Sequence, residues 1–327
     1  MKNRTDLRNL PFNFLRHNYQ LALVFFSVML TGYVAAQDPP PTYTELDKGL
    51  ILDLSGDVGY IMNPNGTMSS INLSNGQSRW DSSQKGKPLA FVDNQLLVQL
   101  EDSVPTNDFK IGYLNNSSGS ISRTESKVLA NSITAGVKST MNYSFDTRVR
   151  VVNNRVNLSW DYEPTAFRGI AEDEGQDRSR KGVFLINKTT LNMESLGMDD
   201  FSIDVVTSKE LVINAIVNAP GRQFSSIQDE YVVVIDKVSN DSQWKKYKWT
   251  IYKQDGTKVG SIRTNLSFRP FYVVDNTLVF TTVPVIRNIE GELVELPKSL
   301  VGYDLSTGNQ KWTKEILDLE YRGPYPP

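Results

Sequence analysis

The sequence predicts an all-β fold, a β-propeller of four-stranded antiparallel blades, about five or more in number. Three observations carry this. Runs such as 89–100 (LAFVDNQLLVQL), 148–160 (RVRVVNNRVNLSW), 230–235 (EYVVVI) and 271–283 (FYVVDNTLVFTTV) are rich in Val, Ile, Phe and Tyr and are broken by Asn, Asp, Gly and Ser, the composition of short strands joined by tight turns. One phrase is written twice, as INLSNGQSRW at 71–80 and YDLSTGNQKW at 303–312. A second phrase, PLAFVDNQLL at 88–97, returns as PFYVVDNTLV at 270–279, with a degenerate copy at 149–158 and a weaker one at 203–212.

Taken in order, the chain opens with Lys2, Arg4, Arg8 and Arg16 ahead of an apolar run from Leu21 to Leu30 and then Val34-Ala35-Ala36. That pattern predicts a signal peptide over 1–36, cleaved after Ala36. The apolar run is shorter than the roughly 20 residues a spanning helix needs, which disfavours a retained anchor. Residues 37–46 contain Pro39, Pro40 and Pro41 and read as an extended Pro-rich leader. The propeller domain is expected over 47–319. The Pro-rich tail 320–327 (EYRGPYPP) cannot pair regularly and is expected to pack on the domain or meet a partner.

Charge and missing residue types exclude whole classes of function. The full chain has 35 basic and 37 acidic residues; loss of 1–36 removes four basic and one acidic, leaving 31 against 36. No basic excess remains for nucleic acid or anionic lipid, so neither is an expected partner. There is no cysteine, and the single histidine, His17, lies in the predicted signal segment. Thiolate nucleophiles, Ser-His-Asp triads and His/Cys zinc sites are thereby excluded, and an exported chain without disulfides must be held by its core.

Each residue of the first phrase has a physical duty. Asn72 and Asp304 stand where an Asx side chain can hold the amides of a tight turn. Gly76 and Gly308 supply positive φ, and Trp80 and Trp312 offer a large apolar surface to seal a neighbouring unit. The second phrase reads as strand, two-residue Asx turn, strand. Unit starts near residues 48, 88, 148, 202 and 270 give about five units of roughly 40–70 residues each.

Residues 303–312 and 59–80 resemble the tryptophan-docking repeat of quinoprotein-type propellers. The resemblance implies the fold. Enzymes of that family hold pyrroloquinoline quinone over calcium beside a disulfide of adjacent cysteines, in a longer chain with more blades. This sequence lacks those cysteines, so no cofactor and no metal site is carried over. The propeller subunit of the outer-membrane barrel-assembly machinery resembles this chain in size and shares the repeat without catalysis, although it is a lipoprotein and this chain has no cysteine to acylate.

Other polar clusters have plain structural explanations. Residues 171–182 (AEDEGQDRSRKG) carry four acids and three bases without the spacing of a calcium loop. In QWKKYKW (243–249), alternation places Tyr247 and Trp249 on one strand face and Lys246 and Lys248 on the other. The carboxylate pairs Glu101/Asp102, Asp199/Asp200 and Glu290/Glu292 include no combination that the sequence selects as acid and base, and the catalytic residues stay unknown. The expectation is an exported, periplasmic or extracellular, non-enzymatic scaffold that binds a protein or cell-envelope component, with no stable membrane insertion after cleavage. The alternative is a propeller enzyme with a channel-bound quinone-type cofactor or carboxylate chemistry on polysaccharide.

Overall fold

The computed structural model describes residues 42–101, 108–129, 143–152, 155–164, 180–196, 217–238, 245–289 and 291–319. Every regular element among them is a β-strand, and none is a helix long and apolar enough to cross a membrane. The predicted signal peptide, the first half of the leader (37–41), the 171–179 excursion, the repeat copy at 203–212 and the Pro-rich tail lie outside the described residues.

The N-terminal sheet contains β1 (Tyr43–Asp47), β2 (Leu50–Asp53), β3 (Val58–Met62), β4 (Thr67–Asn72) and the first half of β5 (Ser78–Val92). Its order follows the chain, every pair antiparallel. The expected leader therefore ends earlier than residue 46. Tyr43–Asp47 is hydrogen-bonded to β2, and Leu46 is buried in the core.

No loop separates this sheet from the next. Within β5, residues up to Lys85 pair with β4, and residues from Gly86 onward pair with β6 (Gln95–Leu100). β7 (Asp108–Asn115) and β8 (Ile121–Val128) complete the second sheet, so eight strands run as one ribbon. The Val-Asp-Asn turn between β5 and β6 has positive φ at Asp93 and Asn94, and its counterpart has it at Asp275 and Asn276. Two consecutive left-handed residues make the hairpin turn whose twist matches that of the strands.

The third sheet joins β9 (Tyr143–Val152), β10 (Arg155–Pro164), β11 (Arg180–Ile186) and β12 (Met193–Leu196). The fourth joins β13 (Arg222–Ser225), β14 (Tyr231–Lys237), β15 (Tyr247–Lys253) and β16 (Lys258–Thr264). In β15, Trp249 and Ile251 are fully buried, as a half-buried strand requires. The fifth sheet has β17 (Phe271–Val274), β18 (Thr277–Thr281), β21 (Ser299–Asp304) and β22 (Gln310–Glu315). Between β18 and β21 the chain leaves to form a separate hairpin, β19 (Val285–Ile289) with β20 (Glu292–Leu296).

Sheets bury their apolar faces against their chain neighbours. Tyr60, Met68 and Trp80 of the N-terminal sheet share a core with Phe91, Leu96 and Val98 of the second. Leu97, Phe109 and Ile111 of the second pack with Phe145, Leu158 and Phe184 of the third. Val233, Trp249 and Ile262 of the fourth pack with Phe271, Phe280 and Val301 of the fifth.

The fifth sheet then returns to the first. Leu52, Ile61 and Ile71 share a core with Tyr272, Val279 and Leu300. Polar bonds sew the same junction. The Tyr272 hydroxyl donates to Asp57 at 2.8 Å, Thr277 donates to the Ser74 carbonyl at 3.2 Å, and the Leu317 amide donates to the Met62 carbonyl at 2.9 Å.

Candidate functional site

Two arrangements bring the sequence-selected residues and the buried charges together: turns at the sheet seams, and an ionic cluster where four sheets meet.

The turn between the last two strands of a sheet is built the same way four times. Asn72, Asn115, Asn187 and Asp304 each accept, through the side chain, the amide two residues on, at 2.8 to 2.9 Å. The backbone carbonyl of each accepts the amide four residues on, at 2.8 Å in all four. That fourth residue has positive φ: Gly76 at 72°, Gly119 at 67°, Gly308 at 73° and, with no glycine available, Leu191 at 63°. Leucine strains in this region; its side chain is fully buried in the core between the second and third sheets, which holds it there. The copies at 115 and 187 escape sequence comparison because neither has the tryptophan and the second also lacks the glycine.

The residue four positions beyond the positive-φ residue docks on the turn of the next sheet. Trp80 lies over Gly119 and donates its indole N–H to the Asn116 carbonyl at 2.7 Å. Trp312 lies over Gly76, where a Cβ would come within 2.6 Å of the indole ring. The two tryptophans therefore occupy equivalent places in successive seams, and the second seam joins the fifth sheet to the first. They are not equally secured. Trp80 is 8% exposed, whereas Trp312 is half-buried and its N–H finds no acceptor among the described residues.

Other residues hold this place elsewhere. Beyond Gly119 it is Arg123, whose guanidinium donates to the Thr189 carbonyl in the third sheet's turn. Beyond Gly256 of the fourth sheet it is Gly260, which lies against the backbone of Leu305, while Gly308 approaches the Ser261 carbonyl. Backbone meets backbone there, which only a residue without a side chain permits.

The ionic cluster is organised by the turn after β1. Asp47 receives Lys298 at 3.0 Å and the Thr281 hydroxyl at 2.8 Å, both from the fifth sheet. The next residue, Lys48, points its charge the other way, to Asp146 on β9 at 3.1 Å. Asp146 also faces Lys87 of β5 at 3.4 Å, and the Lys87 ammonium donates to the Thr147 carbonyl at 2.8 Å. The Thr147 hydroxyl in turn donates to Gln99 of the second sheet at 2.7 Å.

Burial pulls the Lys87 ammonium below its ordinary pKa, with Asp146 and Glu45 pushing it back up. For Asp146, burial alone would raise the carboxyl, but Lys87, Lys48 and Arg148 together outweigh it and hold it below the usual carboxylate range. A lysine with depressed basicity is a candidate nucleophile. Lys87, however, is 2% exposed and bonded on the Thr147 side, so no substrate reaches its nitrogen in this arrangement. The cluster fixes four sheets to one another. Among the described residues no group of three or more Asp, Glu, His or Cys side chains is placed to hold a metal ion. Of the carboxylate pairs, Asp102, Asp199, Asp200 and Glu290 lie outside the described residues, and Glu292 is exposed on the β19–β20 hairpin.

No family model and no curated protein matches the chain. Among solved structures it is similar to BamB from Moraxella catarrhalis, with 12% identity and a TM-score of 0.28, over 83% of this chain and 64% of that one. It is similar to the Dos1 propeller at 9% identity and 0.28, over 85% and 62%. It is similar to quinohemoprotein alcohol dehydrogenase from Comamonas testosteroni at 10% and 0.23, over 84% and 60%. The chain spans less than two thirds of each of these proteins. At such scores the order of the sheets is read from packing inside the chain itself.

Trp80→Ala is expected to cost about 3–5 kcal/mol, the range for a buried large aromatic. Trp312→Ala is expected to cost less, because its ring keeps partial solvent contact and its N–H has no bond to lose. Urea unfolding of the two variants tests the order; a larger loss at Trp312 would contradict it.

Asp146→Asn is expected to cost up to about 3 kcal/mol at neutral pH, the value for orphaning a buried charge reduced for the exposure Asp146 retains. Asp146 binds its proton more weakly in the folded chain than in the unfolded one. Its contribution is therefore full above the ordinary carboxylate pKa of about 3.9 and is lost as the pH falls through the lower folded value. The stability difference between wild type and Asp146→Asn should shrink on acidification; a gap that stays constant or widens would refute the assignment.

Proposed function

We propose that the chain is an exported β-propeller that acts as a protein-binding scaffold, with the β19–β20 hairpin as its contact surface. The propeller reading is supported by sheets that pack on their chain neighbours and by a fifth sheet that packs back on the first. Radial packing of this kind protects strand edges. Export is supported by the basic, apolar and small-residue succession of residues 1–36.

The observation that carries the binding role is the hairpin's surface. Among the described residues four large apolar side chains are classed as exposed, and three of them are here: Ile286, Ile289 and Leu293. Cross-strand register puts Ile286 opposite Glu295 and Asn288 opposite Leu293, so these four residues share one face. All four are exposed, Ile286 at 64% and Leu293 at 76%. The opposite face carries Val285, Arg287, Val294 and Leu296, each partly buried.

Among the described residues this two-stranded ribbon pairs with no further strand, and such a ribbon is marginal by itself. An outward apolar face on such a ribbon gains from being covered. The partner that fits is a protein presenting an apolar strand with a basic flank, complementary to Glu295 on that face and able to pair with an outer edge of the ribbon.

A photo-reactive residue at position 293 in the full chain, activated in native envelope, is expected to give a reproducible adduct with one protein. Ile286→Ser should abolish that adduct while the melting temperature stays unchanged. Adducts no different from those formed at the exposed turn residue Asp255 would defeat the proposal.

A further inference from the structure

The docking pattern at the seams changes between the second and third sheets, and a cleft opens at the change. Where Trp80 and Trp312 lay an indole over the following turn, Arg123 reaches across with a narrower side chain. Beside it is a cleft of about 280 Å³, lined among others by Tyr113, Arg123, Thr189, Lys188 and Asp93.

Tyr113 stands directly across the β7–β8 ladder from Arg123, so both side chains rise on the same face of the second sheet. Tyr113 is 4% exposed, and its hydroxyl finds no protein partner among the described residues. Burial, aided by the nearby Asp93 carboxylate, pushes this phenol up to about 12, so it remains a donor at any physiological pH. A buried donor without an acceptor is unfavourable, and an acceptor atom brought by a ligand would relieve it. The opposite wall supplies the Lys188 ammonium, which pairs with Asp93 at 3.6 Å. Asp93 itself is largely exposed at the rim.

We infer that this cleft is a binding site for a small carboxylate. Tyr113, Arg123 and Lys188 all line this one space, and what their phenol, guanidinium and ammonium have to offer is hydrogen-bond donation. The planar fork of Arg123 suits a carboxylate. Asp93 at the rim opposes a second negative charge, which selects a monoanion over a dianion such as phosphate. The volume lies at the small end of ligand pockets, enough for a short organic acid or for the carboxylate-bearing end of a peptide. This site is independent of the hairpin, which is inserted between β18 and β21.

The test is calorimetric titration of the full chain with three probes: propionate, a tripeptide with a free terminal carboxylate, and the same tripeptide amidated. Saturable binding of either carboxylate probe and none of the amidated peptide is expected. Tyr113→Phe, which keeps the ring and removes the hydroxyl, should weaken binding about tenfold, the effect of one lost hydrogen bond to a charged group. Arg123→Gln should weaken it at least as much, with thermal melting used to show that the seam still forms. Tighter binding of the free tripeptide than of propionate identifies a polypeptide source, and comparable binding identifies a free acid. The proposal is overturned if neither carboxylate binds, if the amidated peptide binds equally well, or if Tyr113→Phe leaves the affinity unchanged.

Discussion

Every seam that the described residues show depends on one contact: the residue four beyond a left-handed turn is laid on the turn of the sheet that follows. The turn must present almost no side chain, because an indole, a guanidinium or a bare backbone has to come into contact with its main chain. Gly76, Gly119 and Gly308 meet that demand directly. Leu191 meets it only by sending its side chain into the core. The contact has a direction along the chain, and the fifth sheet makes it to the first without any covalent bond. A chain with no cysteine has no disulfide with which to reinforce that junction.

Charges at the turn after β1 complement this apolar sealing. Placing Asp47 and Lys48 side by side, each turned to a different sheet, lets a single turn hold the third and fifth sheets at once. Desolvating Lys87 and Lys298 is costly, and such ion pairs seldom add net stability over apolar packing. What they add is specificity of position. Any displacement of one sheet along another would leave a buried ammonium without its carboxylate, whereas apolar faces tolerate small slips.

Part of this organisation was legible in the sequence. Strand composition and Asx turns gave the all-β class, since Val-, Ile- and aromatic-rich runs broken by Asn-Gly and Asp-Asn have few other ways to fold. The hairpins at 72–76 and 304–308 stood out because tryptophan is rare, with five in the chain, and its spacing from the turn glycine is the same in both. The turns at 115 and 187 did not, because the same backbone bonds form with Ser, Thr and Leu in place of those markers. The ionic cluster was invisible for a different reason. Lys87, Asp146 and Lys298 are far apart in the chain and lie in unremarkable local sequence, and only the meeting of four sheets makes neighbours of them. The assignment of 43–46 to the leader failed because a polar stretch, TELD, forms a strand once an adjacent strand offers its hydrogen bonds.

The strand shared by the first two sheets has a mechanical implication. With Ser78–Val92 continuous from one sheet into the other, there is no linker at which the two can swing apart, and a tug on one is passed through fifteen residues of main chain to its neighbour. The two sheets must loosen together. Breathing of the assembly falls instead to junctions that no shared strand crosses, of which the one between the fifth and first sheets is an example.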